Sequence, residues 1–171
     1  NPWLGIDSLE PFFKKASETS SGLFVLVHTS NKGSKDIQEI SLSTGIKCYE
    51  HLANILKPIV EKHKGALGLS SIGVVSGATF REESVALRKL LPNAPFLIPG
   101  YGTQGASAKD ACTPLVQDTE HSNLLNFGLI NASRSILFSE DSYLANNIEE
   151  WQKIILSKIN SINNELTSII N

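Results

Sequence analysis

The segment FLIPGYGTQG, residues 96–105, joins a short apolar run to a glycine loop of the form G-x-G-x-x-G, with Gly100, Gly102 and Gly105 at the fixed positions. Phe96-Leu97-Ile98 has the composition of a strand, and the glycines allow a backbone turn that side chains would block. Between a strand and a helix this pattern is the dinucleotide fingerprint, provided an acidic residue follows about 20 residues later at the next strand tip. Asp118 and Glu120 stand near that distance but in a polar stretch, and two other strand-helix units precede the loop. Residues 100–107 also spell G-x-x-x-x-G-A-S, a P-loop in which Ala106 replaces the lysine, so P-loop chemistry is excluded. Two readings stay open. One is a tight turn without a ligand. The other is a phosphate cradle of backbone N–H groups with Gln104 as an added donor.

Apolar patterning places this loop third in a series. Residues 23–29 (LFVLVHT), 72–76 (IGVVS), 96–98 (FLI) and 129–132 (LINA) are short, nearly continuous apolar runs, as expected of parallel strands covered on both faces. Helical stripes separate or follow them, over residues 47–64, 79–91, about 107–116 and 142–170. Pro58 inside the first of these predicts a kink or an early stop. Asp7-Ser8-Leu9-Glu10 and Thr79-Phe80-Arg81-Glu82 have capping-box spacing. Residues 30–45 are polar and glycine-dotted, hence a loop. The alternation predicts an α/β fold of parallel βα units, with the loops after each strand gathered at one face. In such folds that face holds the site.

Two further segments reach that face. Ser133-Arg134-Ser135 follows the fourth strand, and Arg134 is either a surface ion pair or a bidentate phosphate contact. Thr29-Ser30-Asn31-Lys32-Gly33 follows the first strand and is either a polar turn or a donor set for a heterocycle. His28 lies within a strand and reads as structural. The four histidines and two cysteines show no metal spacing. Asn131-Ala132-Ser133 is a glycosylation sequon that overlaps the fourth predicted strand. There is no G-x-S-x-G elbow.

Bulk properties bound the rest. The 171 residues are 41% hydrophobic and 19% charged, with a net charge of -2. These values suit one globular unit and give no basic face for nucleic acid. Cys48 and Cys112 are too few for a disulfide framework and read as free thiols of a reducing, cytoplasmic compartment. No apolar run approaches the roughly 20 residues of a membrane span. The chain begins Asn1-Pro2-Trp3 and contains no methionine, which predicts a fragment or a processed chain.

Five blocks, NPWLGIDSLEPF (1–12), FVLVHTSNKG (24–33), GVVSGAT (73–79), FLIPGYGTQG (96–105) and NASRSILF (131–138), together resemble the orotidine 5'-phosphate decarboxylase family, and within it the bacterial long-form branch. The resemblance implies a (β/α)8 TIM barrel of about 250 residues that decarboxylates orotidine 5'-phosphate to UMP in pyrimidine biosynthesis. It implies no cofactor and no metal. It also implies that residues 1–171 cover only the C-terminal half of that domain, strands five to eight. The family's catalytic Lys/Asp array, with its D-x-K-x-x-D motif, belongs to the earlier strands. The nearest acidic-lysine stretch here, residues 32–36, is a loop of the wrong order, so no catalytic residue is carried over.

Substrate-holding residues are carried over. By similarity Ser30 contacts the pyrimidine and Pro99 walls the base pocket. Gly102 and Gln104 belong to the phosphate loop, and Gln104 and Arg134 grip the 5'-phosphate. Backbone N–H groups around Ser133 and Arg134 complete the cradle. Lys32, Thr103 and Ala106 depart from the family's usual proline, alanine and glycine, without changing the ligand-facing types. The implied partners are orotidine 5'-phosphate and UMP, together with either a homodimer of full-length chains or the N-terminal half. No nucleic acid or membrane is implied. The alternatives are another phosphate-binding barrel enzyme, such as a sugar-phosphate isomerase or aldolase, and a non-catalytic phosphate-binding half-barrel.

Overall fold

β-Branched and aromatic runs supply the strands, and parallel pairing sets their order. A computed structural model describes residues 1–117 and 125–169. A 3-10 turn at Pro2–Leu4 leads into α1 (Glu10–Glu18), β1 (Leu23–His28), a second 3-10 segment (Lys32–Asp36) and α2 (Cys48–Lys62). Then come β2 (Ile72–Ser76), α3 (Arg81–Leu90), β3 (Phe96–Ile98) and α4 (Ala108–Cys112). A small antiparallel pair, β4 (Val116–Gln117) with β5 (Leu125–Asn126), precedes β6 (Gly128–Ile130). Helices α5 (Arg134–Leu137), α6 (Glu140–Tyr143) and α7 (Ile148–Ser168) close the described chain. The main sheet has the order β1-β2-β3-β6, all neighbours parallel.

This sheet is covered on one face. Register places Leu23, Val25, Ile72, Val74, Phe96 and Ile98 on a common side. They join Tyr49, Ala53, Leu56 and Val60 of α2 and Leu87 of α3 in one core cluster. The opposite side carries Phe24, Leu26, Val75, Leu97 and Leu129. Phe24, Leu26 and Leu129 are 37%, 38% and 59% exposed there. The phenyl ring of Phe24 lies across Gly73, where a Cβ would come within 2.6 Å of it.

A bulge at the end of β1 turns His28 onto the helix-covered side, opposite Ser76. The imidazole is fully buried between Tyr49 and Phe80, with ring centroids 4.8 and 4.6 Å away. Glu39 Oε1 stands 3.6 Å from Nε2, beyond hydrogen-bond length, and neither ring nitrogen has a hydrogen bond among the described residues. Burial pulls the imidazole below its ordinary value of 6.5, against the pull of Glu39 and Glu83.

Arg88 of α3 ties together segments distant in sequence. Its guanidinium donates to the carbonyl oxygens of Pro114 (2.8 Å), Leu91 and Pro92 (both 3.2 Å), Ala94 (2.8 Å) and Phe127 (2.8 Å). It also lies 3.8 Å over the Phe96 ring. Phe127 adopts a left-handed φ of 67°, and its carbonyl also accepts the Phe96 N–H at 2.9 Å. Arg88 thereby fixes the entry to both β3 and β6. Burial lowers its guanidinium to about 10, so the charge persists at neutral pH.

Several sequence expectations need correction. Thr79 does not cap α3: its hydroxyl donates to the Ser30 carbonyl at 3.1 Å, and the N-cap is Phe80 without a side-chain bond. The Asp7 box is also absent, since α1 starts at Glu10 after an uncapped Leu9 and Ser8 bonds back to the Gly5 carbonyl. The helix after β3 does carry a box, formed by Ser107 and Asp110. It ends at Cys112 rather than near residue 116, where the chain turns into β4. Helix α2 runs through Pro58 to Lys62. Pro58 and Asn54 are both exposed, so the carbonyl that loses its partner faces water. The long terminal helix starts at Ile148, capped by Asn147, and not at residue 142. Its predicted last residue, Ile170, lies outside the described residues, as do Asp118 and Glu120. The loop after β1 contains a 3-10 turn, and Asn131 of the sequon is exposed just beyond β6 rather than within a buried strand.

Two stability measurements follow. Replacing Arg88 by Met strands several inward-facing carbonyls, and urea titration should show a loss of about 3 kcal/mol. Burial makes His28 take up its proton at lower pH when folded than when unfolded, where its ordinary value is 6.5. The unfolded state then binds more protons, so stability falls as pH drops below that value. Thermal melts of His28→Phe should show a shallower loss as pH falls below 6.5 than the parent chain; equal slopes would remove His28 from the account.

Candidate functional site

The parallel register brings the C-terminal ends of β1, β2, β3 and β6 to one edge of the sheet. Ser30, after β1, packs against the turn after β2: a Cβ at Gly77 would lie 2.7 Å from Ser30 Cα. It also packs against the loop after β3, since a Cβ at Gly100 would lie 2.9 Å from Ser30 Cβ and 3.5 Å from Gln104 Oε1. Gly77 and Gly100 are therefore glycines because three loops converge there. The Thr79 hydroxyl bond to Ser30, and the Ala78 N–H donated to the Pro99 carbonyl at 2.8 Å, stitch the same three loops.

The two polar neighbours of Ser30 are already engaged. Thr29 and Gln38 bond each other through backbone and side chain, at 2.8 and 3.0 Å. The Thr29 hydroxyl also donates to Asn31 at 2.7 Å. The half-buried Ser30 hydroxyl has no hydrogen bond among the described residues.

The glycine loop closes on itself. Gly102 N–H donates to the Ala106 carbonyl at 3.2 Å, Gly105 N–H to Gly102 at 2.8 Å, and Ala106 N–H to Gly100 at 3.3 Å. Gly100, Gly102 and Gly105 have φ of 107°, 78° and 96°, values that only glycine adopts without strain. This closure leaves the amides of Thr103 and Gln104 without acceptors among the described residues, and both residues are exposed. Gly102 abuts α5: a Cβ there would be 3.2 Å from Ser135 Oγ. That hydroxyl is buried without a hydrogen-bond partner among the described residues. Neighbouring Arg134 is exposed and starts α5 after Ser133, and the amides of Ser133, Arg134 and Ser135 find no carbonyl among the described residues.

All six expected residues thus sit on one edge, contributed by three loops. Ser30, Pro99 and Gln104 are brought together around Gly100. Gly102, Ser133 and Arg134 meet beside Ser135. Sequence reasoning missed Ser135 and Gly77. An S-x-S pair around Arg134 gave no sign that the second hydroxyl would be the buried one. The geometry offers hydroxyl and amide donors at one end and exposed amides plus a guanidinium at the other. That suits a polar ring bearing an anionic group. Among the described residues no group of three or more His, Cys, Asp or Glu could hold a metal. No helix among them is long and apolar enough to cross a membrane.

Comparison with known proteins identifies relatives of this chain. Orotidine 5'-phosphate decarboxylases of Clostridium kluyveri and Clostridium tetani are 42% and 43% identical over 139 residues. Those matches cover 81% of this chain and 45% and 46% of the relatives, so the chain spans about half the length of the curated relatives it matches. Leishmania donovani UMP synthase superposes with a TM-score of 0.68 at 27% identity, over 99% of this chain and 32% of the other. Leishmania donovani OMP decarboxylase superposes with a TM-score of 0.63 at 26% identity, over 96% of this chain and 55% of the other. The family described as "Orotidine 5'-phosphate decarboxylase / HUMPS family" matches residues 1–145, and this chain belongs to it.

Proposed function

We propose that residues 1–171 form the base- and phosphate-holding half of a (β/α)8 barrel that decarboxylates orotidine 5'-phosphate to UMP. The observation that carries this reading is the convergence of Ser30, Gly100, Gln104 and the Ser133–Ser135 segment at one sheet edge. Ser30 presents its free hydroxyl to the pyrimidine, and Pro99 lies beside it as a wall. Gln104, the loop amides and Arg134 take the 5'-phosphate. In this reading β1, β2, β3 and β6 are strands five to eight, and the partly exposed side with Phe24, Leu26 and Leu129 faces the barrel interior.

The division of labour follows from the reaction. Loss of CO₂ leaves electron density on the pyrimidine ring, which a cationic side chain and a proton donor must stabilise. The lysine and aspartates expected for that step belong to the other half. The phosphate does not react. Gripping it fixes the ring in place, and binding energy from such a remote group can raise turnover as well as affinity. A guanidinium suits this work because it stays charged and meets phosphate oxygens with two parallel donors.

The two ends of this proposal are tested separately. In the assembled barrel, Arg134→Ala should lower kcat/KM by about 1.5–3 kcal/mol, the scale of hydrogen bonds to a charged group. An unchanged kcat/KM would remove Arg134 from the phosphate grip. The half-barrel reading concerns the chain by itself. Two open sheet edges and an apolar face favour association. Sedimentation velocity of the isolated chain should show dimers or larger species, and co-expression with a polypeptide supplying strands one to four should yield a defined complex. A stable monomer indifferent to that polypeptide would contradict it.

A further inference from the structure

The glycine loop is held from behind by a helix that the family match does not reach. That match ends at residue 145, and α7 begins at Ile148. Ile155 of α7 is buried, Ile162 and Leu166 pack on the core cluster, and Lys158 pairs with Asp141 of α6 at 2.7 Å. The helix is therefore a fixed part of the fold.

Tyr101 is the large apolar side chain of the Gly100–Gly105 loop, and only 7% of its surface is exposed. It shares a cavity of about 320 Å³ with Asn131 and Ile136 on the β6 side and Ile159, Ile162 and Leu166 of α7. Its phenol donates to Glu165 Oε2 at 2.6 Å. Burial first, then the adjacent carboxylate, pushes the phenol up to about 12, so the donor proton is retained at any physiological pH. Glu165 lies in the last turn of α7, where the helix dipole disfavours an anion. Helix stability therefore does not account for a carboxylate there, whereas the bond to Tyr101 does.

The loop's own backbone bonds fix its shape, and Tyr101 fixes it against α7. Three of its residues are glycines with positive φ, and Thr103 and Gln104 are exposed. Tyr101 links this permissive segment to the body of the fold. Resting on the phosphate reading above, we infer that Glu165 is a positioning residue: through Tyr101 it fixes the glycine loop against α7 and sets how well Gln104 and the loop amides meet the substrate phosphate.

The test compares two probes, UMP and uridine, titrated calorimetrically into the assembled barrel. Glu165→Leu should raise the Kd of UMP about tenfold, the scale of one hydrogen bond to a charged group, and leave that of uridine unchanged. Glu165→Gln keeps an acceptor and should restore most of the affinity. Tyr101→Phe should match Glu165→Leu, and the double variant should be no worse than either, because both remove one interaction. Equal weakening for both probes, or additive losses in the double variant, would overturn the positioning role in favour of a structural one. So would unchanged UMP affinity in Glu165→Leu. Failure of the parent barrel to bind UMP would instead overturn the phosphate reading itself.

Discussion

A four-stranded parallel sheet covered on one side only is the constraint on which the rest depends. Parallel pairing in chain order aligns all four strand ends. The loops that follow β1, β2, β3 and β6 are therefore forced into contact at one edge. Helices α2 and α3 bury one face through Tyr49, Ala53, Leu56 and Leu87. The other face keeps Phe24, Leu26 and Leu129 partly in water. Apolar surface of that kind is stabilised by being covered. The same arrangement therefore creates an edge of converging loops and a partly exposed apolar surface. Both follow from register, with Gly77 and Gly100 giving the converging loops room.

Much of this was legible in the sequence. Four apolar runs marked the strands to within a few residues, because a short, continuously apolar segment bounded by turn residues suits a covered strand. The candidate site residues came only from resemblance, since Ser30 alone reads equally well as a polar turn and Arg134 alone as a surface ion pair. Local signals for caps fared worse. The Thr79 box failed because its hydroxyl found a tertiary partner in the Ser30 carbonyl, which holds two site loops together. The early stop allowed for at Pro58 does not occur, because a carbonyl on the solvent side of a helix can bond water in place of its helical partner.

What the sequence hid was mostly long-range. Arg88 gave no signal because its partners are backbone carbonyls, which every residue supplies. Gly77 reads as a turn residue, yet its lack of a side chain makes room for Ser30 across the sheet edge. Tyr101 and Glu165 are 64 positions apart, and no periodicity links them. Such contacts come from how helices settle on the sheet. Register, unlike strand propensity, is a property of the pair.

The central claim is that the glycine loop and the start of α5 hold a phosphate while Ser30 holds the ring. Amide-resolved NMR of the assembled barrel during UMP titration tests it most directly. The account predicts saturable shifts concentrated at residues 100–106, at Ser133, Arg134 and Ser135, and at Ser30. With uridine in place of UMP, the Ser30 shift should persist while those of the loop and α5 largely vanish. Saturable shifts elsewhere on the molecule, with these amides unmoved, would contradict it.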